Sequence, residues 1–331
     1  MKATLNFFKA LFWNSAEKRL RAGWRILAHI LVLLLLFMLS SFNLLPTGWP
    51  QNRLVDFILK VIGENISWMI IILSLFIAGK FIDRRPFKSY GFALDRVWWL
   101  DMGFGLALGA LLMAVIFGVE YALGWATVTP TLEPNQPLFW EDMLFYLLLF
   151  ISVGIQEEVM SRGYWLRNMA EGLNFRRIGP RAALWMSYAI SSSIFGLLHF
   201  GNPNSSWVST VNLILAGLFL GLPYLLTGEL AISIGLHITW NFFQGNVFGF
   251  PVSGMRTGTT LITIQQSGPE LWTGGAFGPE AGLIGIAAIL IGSLLILLWV
   301  KSTRQRLAWQ DSLAIYPAVQ RTAELPAEQQ A

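Results

Sequence analysis

The chain is 331 residues long, 55% hydrophobic and only 13% charged, whereas soluble domains are nearer a quarter charged. Its mean hydropathy of +0.56 is spread along the chain, so one helical bundle in lipid is a simpler reading than the two domains expected of a soluble chain this long. Cysteine is absent, which excludes disulfides and thiolate zinc sites, and the net charge of +4 comes from basic residues at the ends of apolar runs, so no nucleic-acid partner is expected.

Eight spans are predicted in chain order, at about 24–45, 58–80, 98–122, 140–166, 182–200, 207–226, 230–248 and 282–300. Each has roughly the 20 residues needed to cross about 30 Å of hydrocarbon. They must be helices, because lipid offers no water to open backbone groups. The first run starts near Ile26 and lacks a small-x-small exit, so it reads as a span and not as a cleaved signal peptide. The expected fold class is therefore all-α, a polytopic membrane bundle of about eight transmembrane helices.

Of 23 Lys and Arg residues, 20 fall in segments that lie inside if the N-terminus is inside (Lys2 to Arg25, Lys80 to Arg96, Arg162 to Arg181, and the tail). This asymmetry predicts a multi-pass protein of the cell membrane with both termini cytoplasmic. Trp24, Trp98, Trp99 and Trp299 are expected as inner anchors, and Trp49, Trp125, Trp140 and Trp207 as outer ones. Gly105–Gly109 and Gly217–Gly221 are Gly-x-x-x-Gly pairs that allow close helix packing. Residues 249–281 form an outer Gly-rich loop too long for a plain connector, a candidate cap or flap. The polar tail from about 303 reads as mobile.

Ionisable residues inside spans cost ~2.5–3.5 kcal/mol each and are functional candidates by default. Here they cluster in Glu157, Glu158 and Arg162 of span 4, His199 after Phe195 in span 5, and His237 with Asn241 in span 7. Residues four apart share a helix face. Glu158 is thus expected to pair with Arg162 in a supporting role, Phe195 to pack beside His199, and Glu157, about 100° away, to face the bundle interior. Measured from the turn between spans 4 and 5, Glu157 and His199 lie at roughly 22 and 28 Å, which lets them meet if span 4 continues past Arg162. His237 reaches the same depth only if that hairpin projects beyond the turn before span 7. His29 is expected at the interface, and Asp101, Glu120 and Asp142 near water. Glu64 and Asn65 receive no role.

A carboxylate and two imidazoles in a low-dielectric space suit hydrolysis. Glu157 is a candidate general base, with His199 sharing the water and His237 and Asn241 donating to an oxyanion. No cofactor is certain. A divalent metal such as zinc stays open, with Glu157, His199 and His237 as its ligands, although no His-Glu-x-x-His pair is present.

At these residues the chain resembles the CPBP family of intramembrane peptidases, which includes the type II CAAX prenyl endopeptidases and bacteriocin-processing or self-immunity proteins. Glu157-Glu158-Val159-Met160-Ser161-Arg162 fits Glu-Glu-x-x-x-Arg. Phe195-Gly196-Leu197-Leu198-His199 fits Phe-x-x-x-His. His237-Ile238-Thr239-Trp240-Asn241 fits His-x-x-x-Asn. The resemblance covers about 138–248. It implies that Glu157 and His199 activate water, that His237 and Asn241 stabilise the oxyanion, and that the partners are the lipid bilayer and a membrane-associated or prenylated peptide or protein substrate. The expected organisation is helices 1–3 over 1–137, a catalytic core over 138–248, an extracytoplasmic loop over 249–281, a last span over 282–302 and a cytoplasmic tail over 303–331. Two rivals share these features: an inactive immunity or scaffold protein, and a small-solute transporter, which would usually show an internal repeat that this sequence lacks.

Overall fold

The computed structural model describes residues 10–40, 53–129 and 138–316. A short ribbon of β1 (Trp13–Asn14) and β2 (Arg19–Leu20) leads into α1 (Ala22–Ser40) and α2 (Arg53–Ile77), whose end winds into a π turn, Ala78–Ile82. Then come α3 (Arg96–Ala122), β3 (Ala126–Val128), and α4 (Phe139–Glu158), which runs through a π turn, Val159–Leu166, into α5 (Arg167–Leu173). α6 (Gly179–Leu198), α7 (Trp207–Thr227) and α8 (Ala231–Phe242) follow, α8 ending in a π turn, Phe243–Val247. β4 (Ile264–Gln266), the short α9 (Glu270–Thr273) and α10 (Leu283–Arg304) complete the order. Local chemistry sets the ends. Asp95 caps α3 through the Trp98 N–H at 2.8 Å, and Ser206 and Ser209 form a capping box for α7. Gly228, with φ of 74°, closes α7 in the left-handed conformation.

The protein is a multi-pass helical bundle. Among the described residues, six stretches are long and apolar enough to cross a membrane, including the continuous Phe139–Leu173 rod. The other two expected spans, 182–200 and 230–248, form as α6 and α8 but are not among the six. Arg181 and three buried serines (Ser187, Ser191, Ser192) dilute α6, and α8 has only 12 α-helical residues. Leu31, Leu34 and Leu290 point outward, while the core holds Arg25, Glu158 and Arg162.

α8 is the central helix, and nearly every residue from Ala231 to Asn241 is buried. It lies against α3 because glycines pave the crossing. A Cβ on Gly105 would strike the Ile232 carbonyl, and one on Gly109 would strike Thr239 and Leu236. α4 approaches from another side over Gly154, where a Cβ would lie 2.7 Å from Ile238. Both Gly-x-x-x-Gly pairs therefore act in packing, Gly217 and Gly221 against Ser192 and Tyr188 of α6.

At one end of the bundle, buried Glu171 of α5 bonds Arg19 at 2.5 Å, Arg25 at 3.0 Å and Arg85 at 2.5 Å. Asp83 accepts from Tyr90 at 2.8 Å and from Asn168 at 2.9 Å. The tail to residue 316 is part of this structure, contrary to the expectation of mobility. The Gln310 N–H donates to the Leu225 carbonyl at 2.8 Å, Asn174 donates to the Ala314 carbonyl at 2.9 Å, and Arg19 lies 3.5 Å over the Tyr316 ring. Apolar Trp309 and Leu313 supply the packing that the polar composition concealed.

Other expectations also change. His29, expected at the interface, is fully buried in the protein, with Nε2 3.1 Å from Ser74 Oγ and its ring 4.8 Å from that of Tyr164. Asp101 is buried against Arg304 and the Trp299 Nε1–H, and Glu120 is buried under Gln266 of β4. Each carboxylate found a partner distant in sequence. Trp98 is a buried, hydrogen-bonded core residue and half-buried Trp299 donates to Asp101, whereas Trp99, Trp140 and Trp207 are exposed. Asp142 is partly exposed beside Lys60, as expected. Lys2, Trp49, the side chain of Glu64 and residues 317–331 lie outside the described residues.

At the opposite end, 249–281 is an ordered cap. β4 pairs antiparallel with β3, and Gly254, with φ of 84°, lies directly over the Pro203 carbonyl, where a Cβ could not fit.

Candidate active site

Glu157 and Glu158 end the α-helical part of α4, and the π turn follows at once. Such turns concentrate at functional sites. This one is braced from α6, where Ser191 Oγ donates to the Ser161 carbonyl at 2.7 Å. Ser161 Oγ in turn donates to the Glu157 carbonyl.

Glu158 is fully buried. Arg162 Nη1 donates to its Oε1 at 2.9 Å, and His237 Nδ1 lies 2.9 Å from the same oxygen. The Glu158–Arg162 pair was legible in the sequence, but the bridge to His237 was not. A carboxylate only accepts, so Nδ1 carries the proton. His237 Nε2 is then 3.9 Å from Glu157 Oε2, a buried oxygen with no hydrogen-bond partner among the described residues. Arg162 also donates to Ser161 Oγ and to the Gly217 carbonyl, both at 2.8 Å.

His199 caps the end of α6. Its Nδ1 donates to the Phe195 carbonyl at 2.8 Å, which leaves Nε2 as the acceptor nitrogen. The Phe195 ring is 4.9 Å from the His199 ring and 6.2 Å from the His237 ring, with the Arg162 guanidinium 4.6 Å over its face. Phe195 thus packs between the ion pair and both imidazoles. Asn241 follows His237 by one turn of α8.

Glu157, His199, His237 and Asn241 line one cavity of about 340 Å³, with apolar walls that include Trp68 and Phe219. A mostly apolar cavity with a few convergent polar groups has the character of a ligand or reaction site. The depth condition on His237 is met. Gly163 lies against the Leu230 side chain, level with the turn before α8. The ten residues from Tyr164 to Leu173 therefore extend about 15 Å beyond that turn.

Sequence reasoning missed Glu280, which lines the same cavity from the cap together with Ser253. A faint signal existed, since Glu280 is one of only three charged residues in 249–281, the others being Arg256 and Glu270.

A metal on Glu157, His199 and His237 was left open by the sequence, and these three are not gathered as a ligand set here. Each imidazole has Nδ1 held and Nε2 free, as metal ligands often do, but among the described residues no three His, Asp or Glu side chains are close enough to share an ion. Glu157 and His237 meet, and His199 does not join them as a third ligand.

Residues 139–243 match the family model described as type II CAAX prenyl endopeptidase Rce1-like. All four cavity residues named above fall inside the matched segment, in agreement with the CPBP resemblance. The chain is also similar to the uncharacterized protein YyaK of Bacillus subtilis (strain 168), 23% identical over 197 residues, covering 58% of this chain and 61% of that protein. The match thus spans less than two thirds of that relative's length. No solved structure matches the chain.

Proposed function

We propose that the protein is an intramembrane endopeptidase that hydrolyses a peptide bond of a membrane-associated or prenylated substrate with water activated by Glu157. The observation that carries this reading is the meeting of Glu157, His199, His237 and Asn241 in one largely apolar cavity, with a buried Glu157 oxygen left unbonded. In this reading water sits between Glu157 and His199 Nε2. Glu157 takes one proton as the water oxygen bonds to the scissile carbonyl carbon, and His199 accepts a hydrogen bond from the other water hydrogen. Negative charge gathers on the carbonyl oxygen. Asn241 donates to it, as does His237 from Nε2 in its doubly protonated form, and such donors contribute ~10²–10³ each in rate. The C–N bond then breaks, and Glu157 returns its proton to the leaving amine. Glu158 and Arg162 hold His237 in place. Basic residues gather at the end formed by Arg19, Arg25 and Arg85, and we place that end in the cytoplasm.

The test is cleavage of a prenylated, membrane-tethered peptide library by purified protein in lipid. Glu157→Gln and His199→Ala should each abolish product formation while the protein stays folded. Equal cleavage by wild type and Glu157→Gln would remove the peptidase reading. A chelator added to the wild-type reaction should leave the rate unchanged.

A further inference from the structure

The cap places an acid in the cavity that the hydrolytic reading leaves unused. Glu280 is buried, and its Oε1 accepts from the Ser253 N–H. The Gln244 side chain, from the π turn after α8, adds to the hydrogen bonding that favours its charged form. A carboxylate enclosed in apolar protein is costly unless donors surround it, and these are the donors. Burial pushes the Glu280 pKa up, while the hydrogen bonds from Ser253 and Gln244 pull it back.

The path from Glu280 to His199 is continuous. The Ser253 N–H binds Glu280, the Ser253 carbonyl accepts from Asn202 Nδ2 at 3.0 Å, and the Asn202 N–H donates to the His199 carbonyl at 3.0 Å. Asn204 adds a bond to the Gly254 carbonyl at 3.3 Å. The turn after His199 and the cap segment that holds Glu280 are therefore one hydrogen-bonded unit. The cavity is therefore lined by a second acid, Glu280, tied through Ser253 and Asn202 to the residue that carries its other imidazole.

We propose that Glu280 is a positioning residue that acts through His199, fixing the imidazole toward the cavity and strengthening Nε2 as an acceptor for the attacking water. The role in turnover rests on the hydrolytic reading, whereas the coupling of Glu280 to His199 does not. A negative charge beside an imidazole raises the electron density that its free nitrogen offers to a donor. Nothing in this role requires Glu280 to touch the substrate.

Two measurements on the full chain in lipid bilayers test it. In ¹⁵N-histidine spectra, with His199 assigned by His199→Gln, Glu280→Gln should shift the His199 ring nitrogens and leave those of distant His29 in place. Unmoved His199 resonances would overturn the proposal whether or not the protein is a peptidase. In the cleavage assay, Glu280→Gln should lower kcat by about tenfold, less than the ~10²–10⁴-fold of a group that transfers the proton itself, with KM within about twofold. Glu280→Asp should regain part of the rate and also serves if the Gln variant folds poorly. A change confined to KM would assign Glu280 to substrate contact and refute the positioning role. If wild type shows no Glu157-dependent cleavage, the hydrolytic reading fails and the nitrogen spectra still decide the coupling.

Discussion

Replacing Arg162 with Met should be among the most damaging single changes in the bundle. Arg162 is buried, and its side chain binds Glu158 Oε1, Ser161 Oγ and the Gly217 carbonyl. Its loss leaves the buried Glu158 carboxylate with His237 as its one remaining bonded partner. Breaking a buried pair from one side costs ~3–5 kcal/mol, while the Gly217 carbonyl, inside α7, keeps its helical bond and loses only the guanidinium. That loss approaches the whole stability of marginal proteins, ~5–15 kcal/mol. The double variant Glu158→Gln with Arg162→Met removes the stranded charge and keeps an acceptor for His237, so it should be more stable than Arg162→Met alone. The assay is thermal melting in nanodiscs of one lipid composition. The single variant is expected to melt lower by on the order of 10 °C or more, with a coupling of ~2 kcal/mol or more between the two sites. A loss below about 1 kcal/mol for Arg162→Met, or additive losses in the double variant, would refute the account of this pair.

Three further perturbations probe the frame around the site. Gly109→Val should destabilise by about 1–3 kcal/mol or more as an overpacked crossing, because even a Cβ there meets Thr239 and Leu236 and lies 2.8 Å from the Trp240 nitrogen; since α8 must shift, melting temperature and cleavage should fall together. Glu229, between α7 and α8, has its pKa raised chiefly by burial, against the Ala93 N–H at 3.0 Å. Its folded form therefore binds more protons than the unfolded chain between the two pKa values, so stability falls as pH rises through that window; Glu229→Gln should flatten melting temperature against pH above about 4.5, and an unchanged slope would count against the assignment. Deleting 307–331 removes buried Leu313 and partly buried Trp309, whose ring packs 4.6 Å from Trp185. A loss of about 3 kcal/mol or more is expected from the apolar area alone, read as a lower melting temperature; an unchanged value would show the docked tail to be dispensable.

Helix positions were legible because the apolar runs are long and punctuated by Trp, Gly and charge. The spans begin and end within a few residues of the observed helices, save the predicted end of the first near 45, which lies outside the described residues, and the three motifs lie where four-residue spacing puts them on shared faces. Partners distant in sequence were not legible. Nothing local tells that Asp101 finds Arg304, that Glu120 finds Gln266, or that His29 packs between Tyr164 and Ser74. Glu280 escaped for the same reason. It lies in a loop without periodicity, and only the folded cap brings it to a cavity built from α4, α6 and α8. The π turn after Glu158 was equally hidden, since its sequence differs little from that of an ordinary helix.

Adjacent residues Glu157 and Glu158 distinguish a site from helix glue. Both are carboxylates at the same depth of one helix. Glu158 has the environment of a structural ion, fully enclosed and bonded by a guanidinium and an imidazole through one oxygen. Among the described residues, Glu157 has no ion-pair contact closer than His237 at 3.9 Å, and it borders the cavity. If both acids served only to hold helices together, the uncompensated one would be a pure cost, and Gln at 157 would fold better while changing nothing else. If the cavity holds a reactive water, that cost keeps an acceptor free at the place where a proton has to go. Glu157→Gln should therefore raise the melting temperature while abolishing cleavage. A variant that melts higher and still cleaves would leave Glu157 a residue of packing alone.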